Sequence, residues 1–235
     1  MTKISAVITA YNEEKNLPKC LTALINQSIP KEDFEIIVVD NNSKDKTAEI
    51  AKSFGARVVS ETRQGNTFAL SKGLKSASGE ILASTDADSV VNKDWLEIIL
   101  KTFENPSVAG MTGDVKIDSG NKFFDFLSEK FYEYFFRFNF LIGKPHFCGF
   151  NFAVRKSVYD SIGGVNEAFT MSPDVDLGLR VRQKGRVVFE KNMVVLTSIR
   201  RWQENPSNTF STYLKGYLWS AWLRKPPPVK QNIVR

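Results

Sequence analysis

Four short apolar runs, each closing on polar or acidic residues and each followed by helix-like spacing, limit this chain to an α/β architecture. Ile4 to Thr9 leads into Ala10-Tyr11-Asn12-Glu13-Glu14, and Glu35 to Asp40 leads into Asn41-Asn42-Ser43-Lys44-Asp45. Ala56 to Ser60 leads into Glu61-Thr62-Arg63-Gln64-Gly65-Asn66, and the run from Ile81 ends in Asp86-Ala87-Asp88. Between them, Leu17, Cys20, Leu21, Leu24 and Ile25 recur on one helical face, which makes Cys20 a core residue. A second helix runs through Phe54 and a third from Thr67 to about Ala77. The pattern predicts a mainly parallel, Rossmann-like sheet whose strand ends share one polar edge. Open α/β sheets take nucleotides in the crevice outside that edge.

The chemistry available there is narrow. Asp86 and Asp88 stand one residue apart where the fourth strand ends, so both carboxylates can turn toward one point. Two hard oxygen donors suit Mg²⁺ or Mn²⁺, with a bound diphosphate completing the shell. The competing reading is a solvated turn before a helix that Asn92 or Asp94 begins. With one His and two Cys in 235 residues, neither a His-rich metal site nor a disulfide framework can form, so any metal is held by carboxylates. No Gly-x-Gly-x-x-Gly follows the first strand and no Gly-Lys-Ser/Thr loop occurs, which leaves the diphosphate to a metal. Asp40 suits a base N–H, and Arg63 suits base carbonyls or phosphate. A net charge of +6 favours an anionic partner: nucleotide diphosphate, lipid head group or nucleic acid.

Past a helix containing Trp95, Leu96, Ile98, Ile99 and Phe103, Val108 to Ile117 reads as a strand. The stretch from Phe123 to Ile142 is crowded with aromatics, but Asp125, Glu129, Lys130, Glu133 and Arg137 interrupt it. It is a helix with an unusually wide apolar face, either packed in the core or facing lipid or an apolar acceptor, and not a membrane span. His146 is expected to be structural or exposed on a loop, and Gly149 to Arg155 is strand-like. Pro173 in a first turn with Asp174 beside it marks a helix start. Arg186 to Thr197 is a further strand, followed by Arg200-Arg201-Trp202. An amphipathic C-terminal helix then carries Tyr213, Leu214, Tyr217, Leu218, Trp219 and Trp222 with Lys215, Arg224 and Lys225, which fits a membrane interface or the chain's own domain. No apolar run approaches the roughly 18 residues of a membrane span, and no signal peptide precedes Ile4. The expected location is the cytoplasm, at the inner face of the cell membrane.

Jointly, Thr9-Ala10-Tyr11-Asn12-Glu13, Val39-Asp40-Asn41-Asn42-Ser43 with Asp45 and Thr47, Arg63-Gln64-Gly65-Asn66, Asp86-Ala87-Asp88, Gly149-Phe150-Asn151-Phe152-Ala153 and Asp174-Val175-Asp176-Leu177 resemble the family-2 glycosyltransferases. The resemblance covers residues 4 to 202. It implies a GT-A type fold, a UDP- or GDP-linked sugar donor, Mn²⁺ or Mg²⁺, inversion at the anomeric carbon, and a lipid-linked or glycan acceptor. A catalytic domain would occupy residues 1–202, with a nucleotide-sugar half to about 118 and an acceptor half from about 119, ahead of a possibly membrane-associating tail at 203–235. Ala10, Tyr11, Glu13, Asp40 and Arg63 would contact the nucleotide, Asp86 would lie near the ribose, and Asp88 would hold the metal. Gly149-Phe150-Asn151 resembles the loop lining donor sugar and acceptor, and Arg200-Arg201-Trp202 is similar to the basic-aromatic element that closes over diphosphate or acceptor in some members, which would bring Arg201 to the diphosphate. Where the family commonly shows Glu-Asp, this chain has Pro173-Asp174, which makes Asp174 the candidate general base and Asp176 its reserve. A polyprenyl-phosphate glycosyl synthase is the neighbouring alternative. A nucleotidyltransferase would need a Gly-rich, Lys-containing loop where Ala10-Tyr11-Asn12-Glu13 stands. A non-catalytic binding module sits poorly with an intact set of acids, and nucleic-acid binding with basic residues spread along the whole chain.

Overall fold

The alternation folds as expected through its first four strands. A computed structural model describes residues 2–197 and 206–228. The strands β1 (Ile4–Ala10), β2 (Phe34–Asp40), β3 (Arg57–Ser60) and β4 (Ile81–Asp86) alternate with α1 (Leu17–Ile25), α2 (Thr47–Ser53) and α3 (Asn66–Ser76). β1 pairs in parallel with both β2 and β4, and β2 with β3. Both faces of this half are buried, which explains its unbroken apolar runs. Ile4, Ala6 and Ile8 face one core with Leu17, Leu21 and Leu24 of α1, while Val7 faces the other with Leu70 and Leu74 of α3.

The second half turns the sheet mixed. After α4 (Trp95–Phe103) come β6 (Val108–Ile117), α5 (Lys122–Leu141), β7 (Phe152–Arg155), α6 (Lys156–Ser161), α7 (Pro173–Val181) and β8 (Arg186–Thr197). β7 is antiparallel to both β4 and β6, and β6 is parallel to β8. With the short strand β5 (Ser89–Val91), the eight strands form one sheet in the order β3-β2-β1-β4-β7-β6-β8-β5. Two elements have no counterpart in the sequence reading. One is the edge strand β5 (Ser89–Val91), antiparallel to β8 and too short to show a period; the other is α6, a six-residue turn of helix. The C-terminal helix α8 (Pro206–Leu218) runs into a π-helical turn, Trp219–Leu223. Ala221 and Tyr217 pack on Val175 and Leu179 of α7, so this segment docks on its own domain.

Candidate active site

Strand register decides which loops meet. Ala10 pairs with Asp40, Thr9 with Asp86, and Asp40 with Ser60, so the segments after β1, β2, β3 and β4 leave the sheet side by side. β7 runs back along β4 with Ser84 opposite Phe152, which brings Gly149 to Asn151 to the same edge. Ala10, Tyr11, Glu13, Asp40, Arg63, Asp86 and Asp88 therefore share one margin of the molecule, as expected.

A web of short hydrogen bonds sets the shape of that margin. The backbone N–H groups of Asn12, Glu13 and Glu14 donate to Ser43 Oγ (3.0 Å), Thr47 Oγ1 (2.7 Å) and Asp45 Oδ2 (3.0 Å), tying the first loop to the second. Asn12 and Asn42 both take the left-handed backbone region that Asn tolerates better than most residues. Burial pushes the Asp45 carboxyl up, but hydrogen bonds from Thr47 and the Glu14 N–H outweigh it and hold the group below its usual range. Asp40 Oδ1 accepts from Ser43 N at 3.2 Å. Ala10 and Glu13 are buried, and Glu13 Oε2 accepts from Asn16 Nδ2 at 2.7 Å. Asn41 clamps the third loop: its Nδ2 donates to the carbonyls of Glu61 (2.9 Å) and Arg63 (2.8 Å), and its Oδ1 accepts from Gly65 N (2.8 Å). Three such bonds contribute roughly 1 kcal/mol each to holding Arg63 in place.

Arg63 lies over the Phe68 ring at 4.5 Å and donates to Glu61 Oε2 (3.0 Å) and Glu167 Oε2 (2.7 Å). Its guanidinium holds the Glu167 carboxyl down at about 2, with help from Ser71. Glu167 was not singled out from the sequence. It lies 104 positions from Arg63, and only the fold brings the two together.

At the end of β4, Asp86 Oδ1 accepts from Thr9 Oγ1 at 3.2 Å, and Asp86 and Asp88 are both half-buried around the buried Ala87. Cys20 donates its thiol to the Asp86 carbonyl at 3.5 Å. Burial pushes that thiol up, and the charges of Asp86 and Asp88 add to the effect. Cys20 is thus an inert core residue beneath the acidic pair. Among the described residues, no group of three or more His, Cys, Asp or Glu side chains forms a metal-binding cluster. Two carboxylates without a third protein ligand fit Mg²⁺ or Mn²⁺ shared with diphosphate oxygens better than a closed protein cage.

A further acid comes from α7. Ser172 takes a left-handed conformation and Pro173 starts the helix, placing Asp174 in its first turn. The Asp174 carboxyl accepts from the N–H groups of Asp174, Val175 and Gly149, yet burial outweighs them and pushes it up to about 6. A Cβ on Gly149 would stand 3.3 Å from Asp174 Oδ2, so Gly149 leaves this carboxylate its approach. Cys148, whose thiol burial also pushes up, feels the charges of both Asp174 and Asp86, so both carboxylates lie near it. Asp176, the reserve candidate, has other company. It is buried, and Arg180 one turn later binds its Oδ2 at 2.7 Å through both Nε and Nη2.

Asn151 is not free to touch a sugar. It is fully buried; its Oδ1 accepts from Trp95 Nε1 (2.9 Å), and its Nδ2 donates to the carbonyls of Asp114 (2.8 Å) and Met193 (2.9 Å). Gly113 lies against the same group, at a break in register between β6 and β8, where a Cβ would collide with Met193 O at 2.1 Å. His146 is buried among Phe135, Phe136 and Tyr217, with its Nδ1 3.2 Å from the Lys144 carbonyl, and burial holds it down at about 4. It is structural, and the exposed-loop alternative falls away. Arg201, with Trp202, lies outside the described residues.

Known proteins share this fold. The profile of "Glycosyl transferase family 2" matches residues 5–163, more than half of the chain. The glycosyltransferase AglE of Haloferax volcanii is 36% identical over 124 residues, 50% of this chain and 41% of that protein. The beta-monoglucosyldiacylglycerol synthase of Trichormus variabilis is 30% identical over 191 residues, 76% of this chain and 41% of that protein. Both alignments span well under two thirds of the relatives' own length. Among solved structures, the mannosyltransferase PcManGT of Pyrobaculum calidifontis, in complex with GDP-Man and Mn²⁺, superposes with a TM-score of 0.74 over 96% of this chain and 66% of that one, at 20% identity. S. aureus TarS 1-349 with UDP-GlcNAc gives 0.67 over 85% of this chain and 59% of that one, at 18% identity. A mixed sheet with this fold, a polar strand-end edge and a profile match across most of that sheet lead to one conclusion: the chain belongs to glycosyl transferase family 2.

Proposed function

We propose that this chain transfers a sugar, with inversion, from a UDP- or GDP-linked donor to a hydroxyl of a lipid-linked or glycan acceptor at the inner face of the cell membrane. The observation that carries this reading is the half-buried Asp174 carboxylate, pushed up to about 6 and accepting from the N–H of Gly149, in the loop that strand register brings to the edge where Asp86 and Asp88 stand. A general base is most effective when its pKa lies near the working pH. The nucleotide would lie along Ala10, Tyr11, Glu13, Asp40 and Arg63, with Arg201 as a further candidate at the diphosphate. Asp88, assisted by Asp86, would hold Mn²⁺ or Mg²⁺, which when bound neutralises charge on the diphosphate.

In the reaction, Asp174 takes the proton of the acceptor hydroxyl as that oxygen forms its bond to the anomeric carbon. The bond from that carbon to the diphosphate oxygen breaks on the opposite face, and its electron pair leaves with the nucleoside diphosphate. A phosphate acceptor is already anionic and would need no base, so an acid tuned in this way favours a hydroxyl. The test is release of nucleoside diphosphate from a panel of UDP-, GDP- and dTDP-sugars, with Mn²⁺, Mg²⁺ or chelator, with and without a lipid extract. Metal-dependent release from one donor is expected. Failure of every nucleotide sugar to bind would overturn the reading.

A further inference from the structure

Helix α5 carries its apolar stripe on the outside. Phe124, Leu127, Phe131, Tyr134, Phe138 and Leu141 alternate at three and four residues along one face, and they are 47% to 84% exposed. The side turned to the protein holds Glu133, Phe136 and Asn139, all buried, with Asn139 accepting from the Tyr217 hydroxyl. The acids of α5 are all engaged. Asp125 Oδ1 accepts from Ser119 N (3.1 Å), and Glu129 binds Lys116 Nζ (2.7 Å) and Ile117 N (3.2 Å). Glu133 pairs with Lys130 (2.9 Å) and Arg137 (3.4 Å). Lys130 and Arg137 stand seven residues apart along one flank of the stripe, and Lys144 follows just past the end of the helix. Lys144 Nζ sits 3.6 Å over the Trp222 ring and donates to Ala221 O at 2.9 Å, which joins α5 to a second apolar set at the end of the chain. There, Leu218, Trp222 and Leu223 are 44% to 55% exposed, with Arg224 and Lys225 exposed beside them.

We propose that this joined face, α5 with the end of the C-terminal helix, docks in the plane of an anionic lipid bilayer. An apolar stripe this long exceeds the single exposed side chains that need no explanation. Spanning is ruled out for it, since among the described residues no helix is long and apolar enough to cross a membrane. Charge decides against a second copy of the chain. In an antiparallel pairing of two such seams the cationic flanks would face each other; in a parallel one they would face Ser128, Phe135 and Ile142, so no carboxylate opposes them either way. An anionic headgroup layer supplies both the negative charge that Glu133 alone leaves short of these cations and the apolar depth. The opposite, inward side of α5 adjoins the site. Tyr132 and Phe136 of α5 pack in the cluster that holds Cys148, and the Tyr132 hydroxyl feels the Asp174 charge. The inference deepens the proposed transferase reading, on which it rests, by naming a membrane-borne acceptor delivered beside Asp174.

Vesicle sedimentation tests it, using the full chain with phosphatidylcholine vesicles that contain or lack phosphatidylglycerol, alongside calorimetry of UDP- and GDP-sugar binding. Partition onto the phosphatidylglycerol vesicles is expected. Phe131→Ser/Phe138→Ser should weaken it about tenfold or more, and Lys130→Gln/Arg137→Gln should erase the preference for anionic lipid. Nucleotide-sugar binding should be unchanged in both variants. No partition onto either vesicle, or partition that survives the Phe pair, overturns the inference, as does a concentration-dependent dimer, abolished by the Phe pair, in a chain that ignores vesicles. Vesicle binding without any nucleotide-sugar binding would sink the transferase reading alone.

Discussion

At the strand-end edge and on α7, ionisable and polar groups are taken out of water: Glu13 and Asp176 are 1% and 7% exposed. On α5 the reverse holds, and Phe123 and Leu141 are 72% and 84% exposed. A buried carboxylate costs several kcal/mol unless hydrogen bonds or a counter-charge offset it. At the edge these are present: Asn16 for Glu13, Arg180 for Asp176, and backbone N–H groups for Asp174. Nothing among the described residues compensates the apolar exposure of α5. One region therefore looks prepared for chemistry performed within the chain, and the other for a contact made outside it.

The comparison breaks most sharply at Asp88. Asp88→Asn keeps the shape and removes the charge, so nucleoside diphosphate release should fall by about 10³-fold or more with little change in unfolding midpoint. A variant with near-parent turnover would show that the edge is a structural margin. Next comes Asp174→Asn, with an expected loss of about 10²–10⁴-fold in kcat while donor affinity is kept. In the parent, kcat/KM should rise as pH climbs through about 6 and then level, because only the ionised carboxylate accepts the proton. Stability runs the other way. The folded pKa lies above the ordinary 3.8, so the folded chain holds this proton more tightly, and the stability it contributes below pH 4 is lost as pH rises through about 6. Asp174→Asn should therefore be more stable than the parent at neutral pH, by about 1–2 kcal/mol in denaturant titrations, and less active.

A third effect tests the edge as a scaffold. Asn151→Ala would leave the Trp95 indole N–H and the carbonyls of Asp114 and Met193 without their partner in a dry interior. A loss of about 2–4 kcal/mol in unfolding free energy is expected. An unchanged unfolding curve would mean that these three groups find other partners.

The two regions also differed in how readily their residues could be read. The four β-strands leading to the edge each end an apolar run on polar residues, so their shared margin followed from topology before any coordinates. Hubs such as Asn41 and Asn151 did not, because the side-chain partners of Asn151 lie 37 to 56 residues away in sequence. Setting Asp174 ahead of Asp176 as the proposed base needed the fold, although the i, i+4 spacing of Asp176 and Arg180 is in plain view. On α5 the outward stripe was obscured by Phe126, Phe135, Phe136 and Phe140, which put aromatics on nearly every side. Periodicity alone could not say which face the sheet would cover.

The smallest expected effect makes the contrast quantitative. Phe131 and Phe152 are the same residue type, but Phe131 is 68% exposed on α5, while Phe152 is fully buried and stacked on Phe147 with ring centroids 4.8 Å apart. Truncating Phe152 to Ala removes a buried ring and leaves a cavity, at a cost of about 3–5 kcal/mol. Phe131→Ser removes a ring that the folded and unfolded chains both leave largely in water, so the unfolding free energy should move by no more than about 0.5 kcal/mol. A loss of several kcal/mol from Phe131→Ser in denaturant titration would mean that the stripe is already covered in solution. A shift near zero in that titration, with vesicle partition falling about tenfold, would locate the value of that ring outside the fold.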